Sequence, residues 1–403
     1  MGKYLQIKEI GKVITGKTPS TEDASNFDGK YPFITPSDIK SFDEKYLLET
    51  ERTLSEKGIK KLKNNILPKE AICFVCIGST IGKMCLTNTI AYSNQQINSL
   101  IVNNNFDAHY MFYFLRYIKS YFQQLGAGTG SGKGIVNKTT FENSKVKVET
   151  NKNIQVKIAD ILSTYDNLIE NNNKRIKLLE QMAENLYKEW FVRFRFPGYE
   201  NTKFVDGIPS DWQILRMSDF CYVTDGTHDS PKPINDGGVP LVTGKCIKNG
   251  FIDFNEPYNI SYQDHESISK RSGLQTGDIL FSNIGTVGTT CLVNYDREFS
   301  VKNVIIFKPG NIKVSNYLYS WLNSDSIQAI FATQTNGASQ QFVGLNFMRR
   351  FKILVPSENV LDLYSGRIKP IRSEIVKLHD INENLTKQRD MLLPRLMSGK
   401  IEV

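Results

Sequence analysis

A chain of 403 residues exceeds what one small core organises and implies two or more domains. With 40% hydrophobic and 23% charged residues it is too apolar to be disordered and reads as globular. The formal net charge of +8 suits an anionic partner such as nucleic acid, because neutralised phosphates release counterions, although a basic soluble enzyme would carry the same surplus.

In chain order, Met1 to Lys12 has no apolar leader core, and nowhere do about 18 apolar residues run together, so neither a secretory signal nor a membrane span is expected. Short β-branched and aromatic runs separated by Gly, Asn and Pro turns follow. Cys73-Phe-Val-Cys76 sits in one such run, where a spacing of three points the two thiols to opposite faces of a strand. The other cysteines (Cys85, Cys221, Cys246 and Cys291) are scattered, with no second pair and no His cluster, so no metal site is expected and a reduced cytoplasmic protein is the default. A helix is predicted from Tyr110 to Phe122. After it, Gly126 to Gly134 looks like a phosphate cradle but fails the pattern, since Ala127 stands five before Gly132 and Gly134 follows Lys133. It reads instead as a flexible loop that orders on DNA.

Beyond Lys145-Val-Lys-Val148 comes a long helix with apolar residues at Leu162, Tyr165, Ile169, Ile176, Leu179, Ala183, Leu186 and Trp190, and Asn172 in one slot. Sustained three–four spacing is a coiled-coil seam, and a single Asn within it fixes register.

The rest of the chain repeats this plan at an offset of about 207 residues. Tyr31-Pro-Phe-Ile-Thr35 pairs with Val239-Pro-Leu-Val-Thr243, and Ile72-Cys-Phe-Val-Cys-Ile-Gly78 with Ile279-Leu-Phe-Ser-Asn-Ile-Gly285. Ile81-Gly82 pairs with Val287-Gly288, Cys85-Leu86 with Cys291-Leu292, and Lys145-Val-Lys-Val148 with Lys352-Ile-Leu-Val355. A helix from Tyr317 to Phe331 answers the one from Tyr110, and Thr335 to Gln341 answers the glycine loop. A second seam carries Ile368, Ile371, Ile375, Leu378, Asn382, Leu385, Arg389, Leu392 and Leu396. Matches in the same order at nearly constant spacing, with a one-residue slip at Ile81-Gly82, mark an internal duplication. Two such helices can pack on each other, and a pseudo-twofold relation between the repeats requires them to be antiparallel. Leu162 to Trp190 then spans on the order of 40 Å, close to the roughly 34–36 Å between half-sites read from one face of DNA.

Two globular units alternating with two long helices resemble the specificity subunits of type I restriction–modification enzymes. The likeness runs from Tyr4 to Val403. Leu392-Leu-Pro-Arg-Leu-Met-Ser-Gly399 is similar to the family's C-terminal helix ending, and Leu186-Tyr-Lys-Glu-Trp-Phe191 to its central counterpart. Ile77-Gly-Ser-Thr-Ile-Gly82 and Ile284-Gly-Thr-Val-Gly288 resemble the strand–turn of its recognition domains. The resemblance implies an α+β protein with two pseudo-twofold-related target-recognition domains (1–150 and 196–356) separated by two long antiparallel coiled-coil helices (151–195 and 357–403). It also implies double-stranded DNA as ligand, with each domain reading one half of a bipartite, asymmetric site. Two adenine-methyltransferase (M) subunits would dock on the helices, and restriction/translocase (R) subunits would join later.

No catalytic site is legible. The chain has no Pro-Pro, which the base-holding loop of an adenine methyltransferase contains, and its four histidines (His109, His228, His265 and His379) fall in no HExxH or triad order. No cofactor is expected. DNA contacts can be proposed only by class: Lys and Arg for phosphates, polar loop side chains and Arg for base edges. In the first unit the basic candidates are Lys57, Lys60, Lys61, Lys63, Lys83 and Lys133, and the base-edge candidates Thr35, Ser37, Asp38, Gln95 and Gln96. In the second they are Lys245, Lys248, Lys270 and Arg271, with His228, Gln340 and Gln341. Two other readings stay open: a self-contained DNA methyltransferase or nuclease, and a coiled-coil interaction protein with no DNA role.

Overall fold

A computed structural model describes residues 2–42, 44–47, 49–127, 134–335 and 342–403. The chain divides into two units, Met1–Asn173 with His379–Val403, and Lys174–Leu378. Both mix sheets and helices in the α+β manner.

In the first unit an antiparallel four-stranded sheet runs in the order Gly11–Thr15, Ile97–Val102, Ile72–Val75, Met84–Leu86. Every residue of Ile72–Val75 is buried, as in a strand covered on both faces. Cys73 packs into one apolar cluster and Cys76 with Phe74 into another, so the two thiols do part to opposite faces. A smaller sheet joins Arg52–Leu54, Phe27–Ile34 and Tyr92–Ser93, the last pairing being parallel.

The second unit repeats this wiring. Its four strands are Tyr222–Asp225, Val304–Lys308, Ile279–Ser282 and Thr290–Leu292, and its smaller sheet joins Asn259–Ile260, Val239–Thr243 and Ser300–Lys302, again with one parallel pairing. The repeated Ile-Gly motif explains itself here. Gly78 and Gly285 have φ of +64° and +75°, Gly82 and Gly288 of +91° and +96°, so both copies make the same left-handed turns that glycine adopts without strain.

Each of the two predicted mid-domain helices is in fact a pair. Ala108–Tyr117, N-capped by the Asp107 carboxylate accepting from the Tyr110 N–H at 2.8 Å, breaks at Ile118 before Lys119–Ala127. Ile312–Leu322 likewise ends at Asn323, and Asp325–Thr335 follows. Neither break carries a Gly or Pro, so the apolar pattern read straight through them.

The central helix runs Lys152–Tyr187 and continues as a π turn, Lys188–Val192; the C-terminal helix is Glu358–Met397. The widened turn places Trp190 and Phe191 both inward. Within the first unit Asp166 meets Arg389 and Asn172 meets Asn382, so the two helices run antiparallel there. Within the second, Arg175 meets Glu374 and Trp190 lies against Tyr364, with the same sense. Of the predicted seam, Leu162, Trp190, Ile368, Leu378 and Leu396 are buried. Tyr165, Ile169, Ile176, Leu179, Leu186, Ile371, Ile375, Leu385 and Leu392 are half-buried. Asn172 donates to Asn382 Oδ1 at 2.8 Å, and Asn382 donates to Asn173 Oδ1 at 2.9 Å, so the polar slots of the two seams satisfy each other. No described helix is long and apolar enough to cross a membrane.

Candidate nucleic-acid interface

In the second unit the strand Tyr222–Asp225 ends against Gly226, where a Cβ would lie 2.2 Å from the Val301 carbonyl oxygen. Only glycine permits that approach. The turn buries Asp225 and leaves His228 outside: their side chains are 10% and 62% exposed. Arg271, from the last turn of the helix Tyr262–Ser272, is ion-paired to Asp225 Oδ1. The other carboxylate oxygen, Oδ2, lies 2.9 Å from His228 Nε2, and His228 Nδ1 lies 2.9 Å from Asn303 Oδ1. One buried carboxylate thereby fixes two exposed side chains, both among the residues expected to touch DNA.

The same strand end in the first unit has the same backbone and different chemistry. A Cβ on Gly16 would lie 2.2 Å from the carbonyl oxygens of Ser93 and Asn94. Thr15 stands in the place of Asp225 and donates to Asn98 Oδ1 at 2.7 Å, while Asn65 donates to the Thr15 carbonyl at 2.8 Å. Thr18 donates to Gln95 Oε1 at 2.8 Å, and the Gln96 N–H donates to Asn94 Oδ1 at 3.0 Å. Hydroxyls and amides replace the carboxylate and guanidinium, with the exposed Lys17 beside them.

The remaining candidates are dispersed. Thr35 and Ser37 share a hydroxyl contact of 2.8 Å, but Asp38 is buried, taking the Thr35 and Glu51 N–H groups at 2.7 Å each; it builds the turn and cannot meet a base edge. Lys57 and Lys61 lie 2.9 and 3.7 Å from Asp23, which the Ser25 hydroxyl and Lys57 hold down at a pKa of about 2. Lys83 donates to the carbonyls of Ile39 and Lys40, and Lys248 bridges Asp253 and Glu256 at 2.9 Å each. Lys60, Lys63, Lys245 and Lys270 are exposed and make no ion pair among the described residues. Lys133, Gln340 and Gln341, with most of the glycine loop and of its counterpart, lie outside the described residues. Among the described residues no three His, Cys, Asp or Glu side chains are grouped to hold a metal ion.

The type I restriction modification DNA specificity domain matches the chain twice, over residues 3–181 and 209–364. The chain belongs to that family. It is similar to the MjaIX specificity subunit of a type I restriction enzyme from Methanocaldococcus jannaschii, 25% identical over 427 residues that cover 99% of this chain and 93% of the relative. The MjaVIII specificity subunit from the same organism is 23% identical over 416 residues, covering 100% and 93%. The crystal structure of the type I restriction–modification S subunit from M. genitalium shares the fold, with a TM-score of 0.59 at 14% identity, over 98% of this chain and 96% of that one.

Specificity subunits of type I systems are recognition proteins without a catalytic centre of their own. Sequence reasoning missed Asp225, Asn303, Thr15, Lys17 and Thr18. A signal was present: Thr15-Gly16-Lys17-Thr18 and Asp225-Gly226-Thr227-His228 align about a glycine, at an offset a few residues larger than the rest of the repeat.

Proposed function

We propose that this chain is the DNA-recognition subunit of a type I restriction–modification complex, with regions 1–150 and 196–356 each reading one half of a bipartite, asymmetric site. The carrying observation is that one wiring occurs twice, in a member of this family, with unlike side chains at equivalent strand ends: Thr15, Thr18 and Gln95 in one unit, Asp225, His228 and Arg271 in the other. Different chemistry at one scaffold position supports different half-sites. Lys60, Lys63, Lys245 and Lys270 are suited to phosphates.

The helices 151–195 and 357–403 serve as spacer and docking surface. Each unit's helix pair leaves apolar side chains uncovered: Val156, Leu168 and Met391 in the first, Leu178, Met182 and Leu363 in the second. Such residues suit a protein partner, and two adenine-methylating M subunits are that partner, with R subunits joining the complex. Joining two modest readers by a stiff spacer makes the second contact effectively intramolecular. The M subunits then extrude and modify an adenine in each half. Six cysteines that are free and buried accord with a reducing cytoplasm.

The test is selection from randomised duplexes by the full chain assembled with its M subunits, followed by sequencing of the bound DNA. Two unlike sequence blocks at one fixed gap are expected. A single block, or none, contradicts the reading.

A further inference from the structure

We infer that Arg271, held by the buried Asp225, reads a guanine in the half-site of the second unit, and that Asp225 is its positioning residue. This rests on the DNA-recognition reading above and adds a base identity to it.

Arg271 is 57% exposed yet anchored by one guanidinium nitrogen, Nη2, on Asp225 Oδ1. Its Nη1 and Nε have no protein partner among the described residues. Nη2 gives one hydrogen to Asp225 and keeps a second, which with the neighbouring free N–H still makes a planar two-pronged donor, and the anchor restricts its rotamers. Guanine presents two neutral acceptors, N7 and O6, side by side in the major groove, the match for such a fork. Phosphate is the poorer match. The Asp225–Arg271 pair is close to neutral, and a phosphate arriving at the fork would face the carboxylate behind it, whereas Lys270 next in sequence is an unpaired, exposed cation better suited to that role. His228, braced between Asp225 and Asn303, walls the other side of the carboxylate and keeps Asp225 from swinging out. Among the described residues the equivalent place in the first unit has no carboxylate–guanidinium pair: Thr15 replaces Asp225, and the Asn65 amide is spent on the Thr15 carbonyl. The guanine contact therefore belongs to one half-site alone.

The experiment uses the full chain with its M subunits and a randomised duplex library, for wild type, Arg271→Ala, Arg271→Lys and Asp225→Asn, with thermal unfolding of each variant as the fold control. Wild type should show an invariant G·C pair in the half-site of the second unit. Arg271→Ala should lose that single column, with a fall of roughly 10- to 100-fold in affinity for the cognate duplex and none for duplexes already lacking the guanine. Arg271→Lys, which keeps charge and loses the fork, should relax the same column. Asp225→Asn should blur it while steepening the salt dependence of binding by up to about one phosphate contact, because the guanidinium is no longer neutralised. An Arg271→Ala variant that keeps every column and weakens on all sequences alike, with Arg271→Lys restoring affinity, overturns the inference and makes Arg271 a phosphate anchor. A wild-type complex that enriches two blocks with no invariant G·C pair in either also overturns it, while leaving the bipartite reading standing. One that enriches nothing overturns both.

Discussion

Asp166 in the first unit and Arg372 in the second occupy equivalent places on equivalent helices, yet carry opposite charges. Asp166 accepts from the Tyr113 hydroxyl and from Arg389 Nη1 at 2.6 Å, and Arg389 is 2% exposed. Burial, and then the Asp166 carboxylate, push the Tyr113 pKa up, so the phenol stays a donor. Arg372 instead donates to Asn316 Oδ1 at 2.6 Å, the Asn316 carbonyl at 2.9 Å and Ser320 Oγ at 2.7 Å, and lies 4.7 Å from the Tyr319 ring centre. Each unit ties one of its long helices to the equivalent mid-domain helix, Ala108–Tyr117 or Ile312–Leu322. One does it with a buried ion pair that Arg389 extends to Asp390, the other with a cation spread over neutral acceptors. A duplicated fold thus tolerates reversal of charge at a core position when the facing residues change with it.

That contrast makes the largest expected effect a comparison of two substitutions. Arg389→Met leaves the buried Asp166 carboxylate with the Tyr113 phenol as its one hydrogen-bond donor among the described residues, and should destabilise the first unit by about 3–5 kcal/mol in denaturant unfolding. Arg372→Met removes a cation from neutral acceptors and leaves no unpaired charge behind, so it should cost about 1–3 kcal/mol. Equal losses would erase the distinction. Asp166→Asn added to Arg389→Met should recover most of the larger loss, because no unpaired charge remains.

The glycine turns sharpen the comparison from the other side, since there the two units are alike. Gly16→Ala and Gly226→Ala each push a Cβ to 2.2 Å from a backbone oxygen. Each should cost about 1–3 kcal/mol, to a similar extent, as measured by unfolding midpoints. If one of the pair were silent, its unit would not need the close approach that aims its strand end. Asn172→Ala should have the smallest effect, about 1 kcal/mol or less, since Asn382 keeps its bond to Asn173.

What the sequence made legible follows from how local each signal is. The seams could be read because three–four periodicity is a property of one helix, and the residues it picked are buried or half-buried. Gly78 and Gly285 could be read because a left-handed turn needs glycine in both copies. The helix breaks at Ile118 and Asn323 could not, because tertiary packing and no local breaker sets them. Nor could the pairing of Asp225 with Arg271, 46 residues apart, or the capture of Lys57, Lys61 and Lys248 by nearby carboxylates, which a count of basic residues cannot reveal. Of the residues nominated for DNA, His228 with Arg271 and Gln95 with Gln96 fall beside equivalent glycine turns; the others are scattered.

The proposed spacer role, in which the paired helices set the distance between two unlike reading heads, is the most directly testable. Removing one heptad from each, residues 174–180 and 374–380, keeps the seams in register and shortens the pair by about 10 Å. Sequencing the sites modified by the assembled complex should then show both half-sites unchanged and the gap between them shorter by about three base pairs. An unchanged gap, with modification intact, would contradict it.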